Sequence, residues 1–97
     1  VKLYAPPSYQ PINKPGYYEL IPPEFMNIHR INDTHKHISL VYFATTETDQ
    51  LILSKDEKSD GCKWFLEEEL DDPQYGIDEV IKKYARTALK KLSKSFI

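Results

Sequence analysis

Cysteine, glycine and arginine are scarce in this sequence. A lone cysteine, Cys62, among 97 residues excludes an intrachain disulfide framework, and a reducing cytoplasmic setting is the expectation. Three isolated glycines, Gly16, Gly61 and Gly76, leave no phosphate-cradling loop and no Gly-x-Ser-x-Gly nucleophile elbow. Two arginines, Arg30 and Arg86, make phosphate clamps sparse. A formal net charge of −2 without a clustered basic excess argues against a nucleic-acid partner. No apolar run approaches the roughly 18–20 residues that span a bilayer, so no membrane partner is expected. Nor does a basic-then-apolar leader open the sequence.

What is present suits a globular domain, with 40% apolar and 29% charged residues. Residues 1–97 read as one small domain or part of one, able to bury roughly 60–65% of the unfolded surface. The sequence opens Val1-Lys-Leu-Tyr4, already in strand-like alternation and without methionine, which reads as a fragment.

Alternation predicts a short strand over Val1–Ala5, ended by Pro6 and Pro7 because proline lacks a ladder donor. A second strand is expected at Tyr17–Ile21, stopped by Pro22 and Pro23. Phe25, Ile28 and Ile31 punctuate an extended stretch that leads to a turn at Asn32-Asp33. His37–Thr46 reads as a central strand buried on both faces, with Ile38, Leu40, Tyr42 and Ala44 on one and Val41 and Phe43 on the other. Thr48-Asp49-Gln50 offers a turn before Leu51–Leu53, and Asp56–Gly61 reads as a polar loop. Cys62–Leu66 reads as a strand that buries Cys62, and Leu66–Leu70 as one helical turn with Leu66 and Leu70 inward. Ile77, Val80, Ile81, Tyr84, Ala85, Ala88, Leu89 and Leu92 form the stripe of a helix that covers a sheet.

Candidate chemistry comes from three groups. His35 and His37 share a strand face by alternation, so with His29 they suggest a metal site. Nothing in the spacing guarantees a third ligand, and surface or strand-end histidines are the favoured reading. Glu67, Glu68 and Glu69 form a carboxylate run, but successive helical residues diverge by about 100°, so the three cannot face one ion. A solvated acidic turn is favoured. Among the many aromatics, Phe25 beside Pro22-Pro23 is the candidate for stacking on a nucleobase, although most rings are expected in the core.

Taken in order, Val1-Lys-Leu-Tyr4, Leu20-Ile-Pro-Pro-Glu-Phe25, His35-Lys-His-Ile-Ser-Leu-Val-Tyr-Phe-Ala44, Trp64-Phe65 with Glu68-Glu69-Leu70, and the helix Ile77–Leu92 resemble the C-terminal half of a Nudix hydrolase domain. The resemblance implies an α+β fold: a partial α/β/α sandwich, with a mixed sheet of four to five strands and a C-terminal amphipathic helix. It implies a parent pyrophosphohydrolase acting on a nucleoside diphosphate linked to another moiety, with Phe25, His29 and Tyr42 lining the substrate pocket.

In that family a Nudix box, with an Arg-Glu pair and a following Glu-Glu pair, holds Mg²⁺ or Mn²⁺. Here neither Arg30 nor Arg86 precedes a glutamate, and the Glu67–Glu69 run lacks the glycine two places on. The chain therefore has no catalytic residue and no metal ligand of that box to name, and is expected to be inactive and metal-free alone. Its bare sheet edge would favour a homodimer. Two alternatives stay open: a non-catalytic α+β protein-interaction domain, and a small His-based metal protein.

Overall fold

The computed structural model describes residues 1–50 and 62–93. The chain divides into two compact units, Val1–Thr45 and Thr46–Ile97.

In the first unit the alternation at the start yields strand β1, Lys2–Leu3. The prolines that follow turn the chain: the Tyr9 N–H donates to the Pro6 carbonyl at 2.9 Å. The Tyr9 hydroxyl donates to the Glu19 carbonyl at 2.6 Å and ties this segment to a second turn. That second turn replaces the start of the strand expected at Tyr17–Ile21. Pro15 presets one central position, and Gly16 takes the other with φ at +76°, the signature of a type II turn. The Tyr17 N–H donates to the Lys14 carbonyl at 3.1 Å, so it closes the turn. Residues 18–21 join no ladder, and the two prolines that follow carry no donors.

The expected extended stretch is strand β2, Phe25–Asn32, paired antiparallel with β3, His35–Val41. Their register sets Phe25 opposite Val41, Ile28 opposite Ile38 and His29 opposite His37, with an irregularity between Arg30 and Asn32. Asn32 builds the hairpin turn by accepting on Oδ1 from the Thr34 N–H at 2.9 Å and the Thr34 hydroxyl at 3.0 Å. Arg30 and Asp33 form an ion pair across it.

Residues 37–46 do not form one uninterrupted strand. β3 stops at Val41, and a two-residue strand, β4 (Ala44–Thr45), pairs with β1 in the register Lys2–Thr45 and Leu3–Ala44. The ladder changes partner across Tyr42 and Phe43. Just outside the strands, the Glu24 N–H donates to the Val41 carbonyl and the Tyr4 N–H to the Phe43 carbonyl, both at 2.8 Å. The architecture is α+β. Its four described strands lie in two two-stranded antiparallel sheets, not in one mixed sheet.

Burial on both strand faces is not found either. Phe43 is 5% exposed, yet Ile38 is 70% exposed, and Met26, Ile28, Leu40 and Tyr42 are also exposed. A two-stranded ribbon has two faces and its own unit supplies no second layer. Phe43 and the half-buried Phe25, with rings 6.3 Å apart, occupy one face; the apolar residues of the other stay uncovered.

In the second unit residues 62–66 are not a strand, and Cys62 is exposed instead of packed as a small hydrophobe. The expected helical turn is present as a 3-10 turn, Glu67–Asp71. Leu70 points inward at 6% exposure, whereas Leu66 is 68% exposed. Helix α1 spans Glu79–Ser93. Asp78 caps it, accepting from the Val80 N–H on Oδ1 at 2.8 Å while its carbonyl accepts from the Lys82 N–H at 3.0 Å. Glu79 at its start and Lys90 and Lys91 at its end complement the helix dipole.

The apolar stripe of α1 is present, but none of its residues is buried, and Val80, Ile81 and Leu89 are exposed. Among the described residues its own unit holds no strand for it to cover. No helix of the described residues is long and apolar enough to cross a membrane. The strand start at Leu51–Leu53 and the loop at Asp56–Gly61 lie outside the described residues.

Candidate functional site

Side-chain alternation along the hairpin decides which candidates meet. Phe25 and His29 stand on the same face of β2, four residues and about 13 Å apart. Tyr42, one residue beyond Val41, falls on the opposite face from the partners of Phe25 and His29. A single ligand laid along the Phe25–His29 face therefore does not reach it.

Phe25 is half-buried against Phe43, so its ring serves the small core as well as any ligand. His29 is exposed, and so is Tyr42. The shallow depression at the hairpin turn is lined by Arg30, Asn32, Asp33, Thr34, His35 and Lys36, and includes none of the three.

The hairpin also makes a contact that residue spacing did not announce. His29 sits directly across the ladder from His37, with ring centroids 5.9 Å apart and planes at 75°. His35, two residues along β3, has its Nδ1 3.0 Å from the Thr34 hydroxyl. The His-x-His spacing pairs His35 with His37 on one strand face. The partner that His37 meets is His29, which only the register reveals.

A second cluster forms around the acidic turn. Lys63 donates to Glu69 Oε2 at 2.6 Å and to the Tyr75 hydroxyl at 3.0 Å. Its ammonium lies 4.7 Å from the ring centroids of both Phe65 and Tyr75, which meet edge to face at 4.9 Å. Glu69 Oε1 accepts from the Leu66 backbone N–H at 2.8 Å, the reciprocal half of a capping box. That backbone donor, then the Lys63 ammonium, hold the Glu69 carboxyl below its ordinary value. The bonds to Glu69 and then Tyr75 push Lys63 upward.

Asp71, at the end of the turn, accepts from Arg86 at 2.6 Å and lies 3.4 Å from Lys82. The guanidinium of Arg86 is the larger reason its carboxyl titrates low. Arg86 and Lys82 are four residues apart on α1, so one helix face grips one carboxylate. Trp64 is fastened as well, its indole N–H donating to the Asp49 carbonyl.

The carboxylates of this turn are thus absorbed by structure. Glu69 and Asp71 neutralise cations of the chain, while Glu67 and Glu68 are exposed to solvent. Among the described residues no group of three or more His, Cys, Asp or Glu side chains is placed to hold a metal ion. The Mg²⁺ or Mn²⁺ implied by the Nudix resemblance finds no fitting donor set in them.

No family model, no curated protein and no solved structure matches this chain.

Proposed function

We propose that these residues are the substrate-side, C-terminal half of a Nudix-type pyrophosphohydrolase domain, inactive on their own. The element order carries the reading: a short strand, a hairpin, an aromatic pair leading into a capped acidic turn, and a closing amphipathic helix. The parent enzyme would act on a nucleoside diphosphate linked to another moiety, using Mg²⁺ or Mn²⁺ held by a box that this sequence does not contain.

The uncovered apolar face of Met26, Ile28, Ile38 and Leu40 supports the same reading. In a complete α/β/α sandwich, with its mixed sheet of four to five strands, such a ribbon would be an inner layer. In isolation, bare edges and faces favour a homodimer. Phe25 and His29 would line the substrate side, with Tyr42 on the reverse face serving the packing.

Two measurements test the reading. Titrating ADP-ribose, a probe of the substrate class, into the labelled chain should shift the amide resonances around Phe25 and His29. Conversion of ADP-ribose to AMP and ribose 5-phosphate with Mg²⁺ present should stay at background. Hydrolysis by these 97 residues alone would overturn the proposal. So would the absence of any shift at Phe25 and His29 at saturating probe.

The same bare face favours a second reading, a non-catalytic domain that binds a protein through an exposed apolar ribbon. Under it, ADP-ribose leaves every resonance in place.

A further inference from the structure

We infer that His29 and His37 form a two-imidazole chelate for a transition-metal ion of the Cu²⁺, Ni²⁺ or Zn²⁺ class on the hairpin surface. The inference is independent of the Nudix reading, whose metal would be an oxygen-bound Mg²⁺ or Mn²⁺ on residues absent from this chain.

The register comes first. Directly opposed residues in an antiparallel ladder have Cβ atoms about 4.5–5.5 Å apart and project from the same face. His29 and His37 are such a pair. Two imidazoles bound to one ion, with metal–nitrogen distances of about 2.0–2.1 Å, place their ring centroids roughly 4.5–6 Å apart across ordinary ligand angles. The centroids here are 5.9 Å apart, inside that range. The rings meet at 75°, edge to face, and rotation about the side-chain torsions of these two exposed residues turns one nitrogen of each towards a common point.

Access and chemistry agree with the geometry. Both rings are exposed, so an ion can keep water in its remaining positions. Imidazole selects Zn²⁺, Cu²⁺ and Ni²⁺ over the hard cations, and the ordering of divalent affinities makes Cu²⁺ the tightest. The cations Arg30 and Lys36, opposite each other in the ladder, project from the other face by alternation. They do not stand beside the ion. His35 is left outside the chelate because the ladder sets it opposite Asn32 and not opposite an imidazole.

The ligands belong to two strands, so the ion also staples the hairpin. Because the pair is assembled by folding, binding adds directly to the stability of β2 and β3.

The test uses the full 97-residue chain with Cys62→Ser, which removes the exposed thiol as a competing ligand. Ni²⁺ is the probe, followed by titration calorimetry and by paramagnetic broadening of the histidine ring resonances. One ion per chain should bind, and His29 and His37 should broaden before His35. His29→Gln and His37→Gln should each weaken binding roughly tenfold or more, since either removes bivalence. The double variant should be little worse than either single one. His35→Gln should bind Ni²⁺ as the parent chain does.

Ni²⁺ should also raise the melting temperature of the parent chain and leave that of His37→Gln unchanged. Equal isotherms for the parent and double variant would overturn the assignment. Uniform broadening of all three histidines would do the same. If a glutamine variant lost the hairpin, the ring broadening in the parent chain would still decide the matter.

Discussion

The Lys63 ammonium lies 2.6 Å from Oε2 of Glu69, while Oε1 of the same carboxylate accepts the Leu66 backbone N–H at 2.8 Å. One side chain thus closes the start of the 3-10 turn and anchors a lysine held against two aromatic rings. A group with both oxygens committed to the chain's own donors is a structural element of the turn.

This gives the turn a defined pH response. Glu69 is held below its ordinary value of 4.5, so its stabilising contribution is complete above that pH and is lost as pH falls through the lower folded value. Lys63 is raised above 10.5, so its contribution is complete below that and is lost at more alkaline pH. The Leu66 amide resonance should hold constant across neutral pH and move only below about pH 4.5. In Glu69→Gln the acid-side movement should disappear. A Leu66 amide that titrates near neutrality would contradict the arrangement.

Asp78 sits at the start of α1 with its carboxylate on the Val80 N–H. Asp78→Ala should cost about 1 kcal/mol of helix stability, and Asp78→Asn much less, since asparagine also caps. Far-UV circular dichroism during urea unfolding measures both. Equal loss in the two variants would show that charge, not the hydrogen bond, is what the position supplies.

Gly16 has φ at +76°, and a side chain added there would meet nothing within 4 Å. The cost of Gly16→Ala is therefore conformational, about 1–2 kcal/mol for a left-handed backbone. The hydrogen bond from Tyr17 to Lys14 should weaken with it, read as faster exchange of the Tyr17 amide. Unchanged exchange in the variant would mean that Pro15 alone maintains the turn.

Phe43 is the only buried side chain described in the first unit. Phe43→Ala should cost about 3 kcal/mol, a large share of what a domain of this size can hold. Phe43→Leu should cost less, because it leaves a smaller void. Thermal unfolding of the two variants against the parent chain measures the difference. Ile38→Ala, at an exposed position, should shift the midpoint far less.

Signals within a few residues of one another were legible in the sequence. The period of the apolar positions places α1 to within two residues at its start. The Asn32-Asp33 turn and the extended stretch before it appear where local chemistry puts them, as does the helical turn after Phe65. Pro15-Gly16 is a turn signal of the same local kind, while the alternation after it signals a strand at Tyr17–Ile21. Pattern alone cannot tell which of two compatible signals a segment obeys. Only the hydrogen bond from Tyr17 back to Lys14 settled it.

The sequence by itself determined the class, a small α+β chain with an amphipathic helix and no intrachain disulfide. Those features depend on composition and on contacts a few residues apart. The tertiary structure decided what depends on pairing across distance. It set His29 against His37, buried Phe43 while leaving Tyr42 exposed, and left Cys62 exposed. It divided the expected long strand between two partners at Tyr42 and Phe43. Register is the reason: in a ladder of period two, one residue of slip moves every side chain to the other face, and no local pattern encodes which slip the turn imposes.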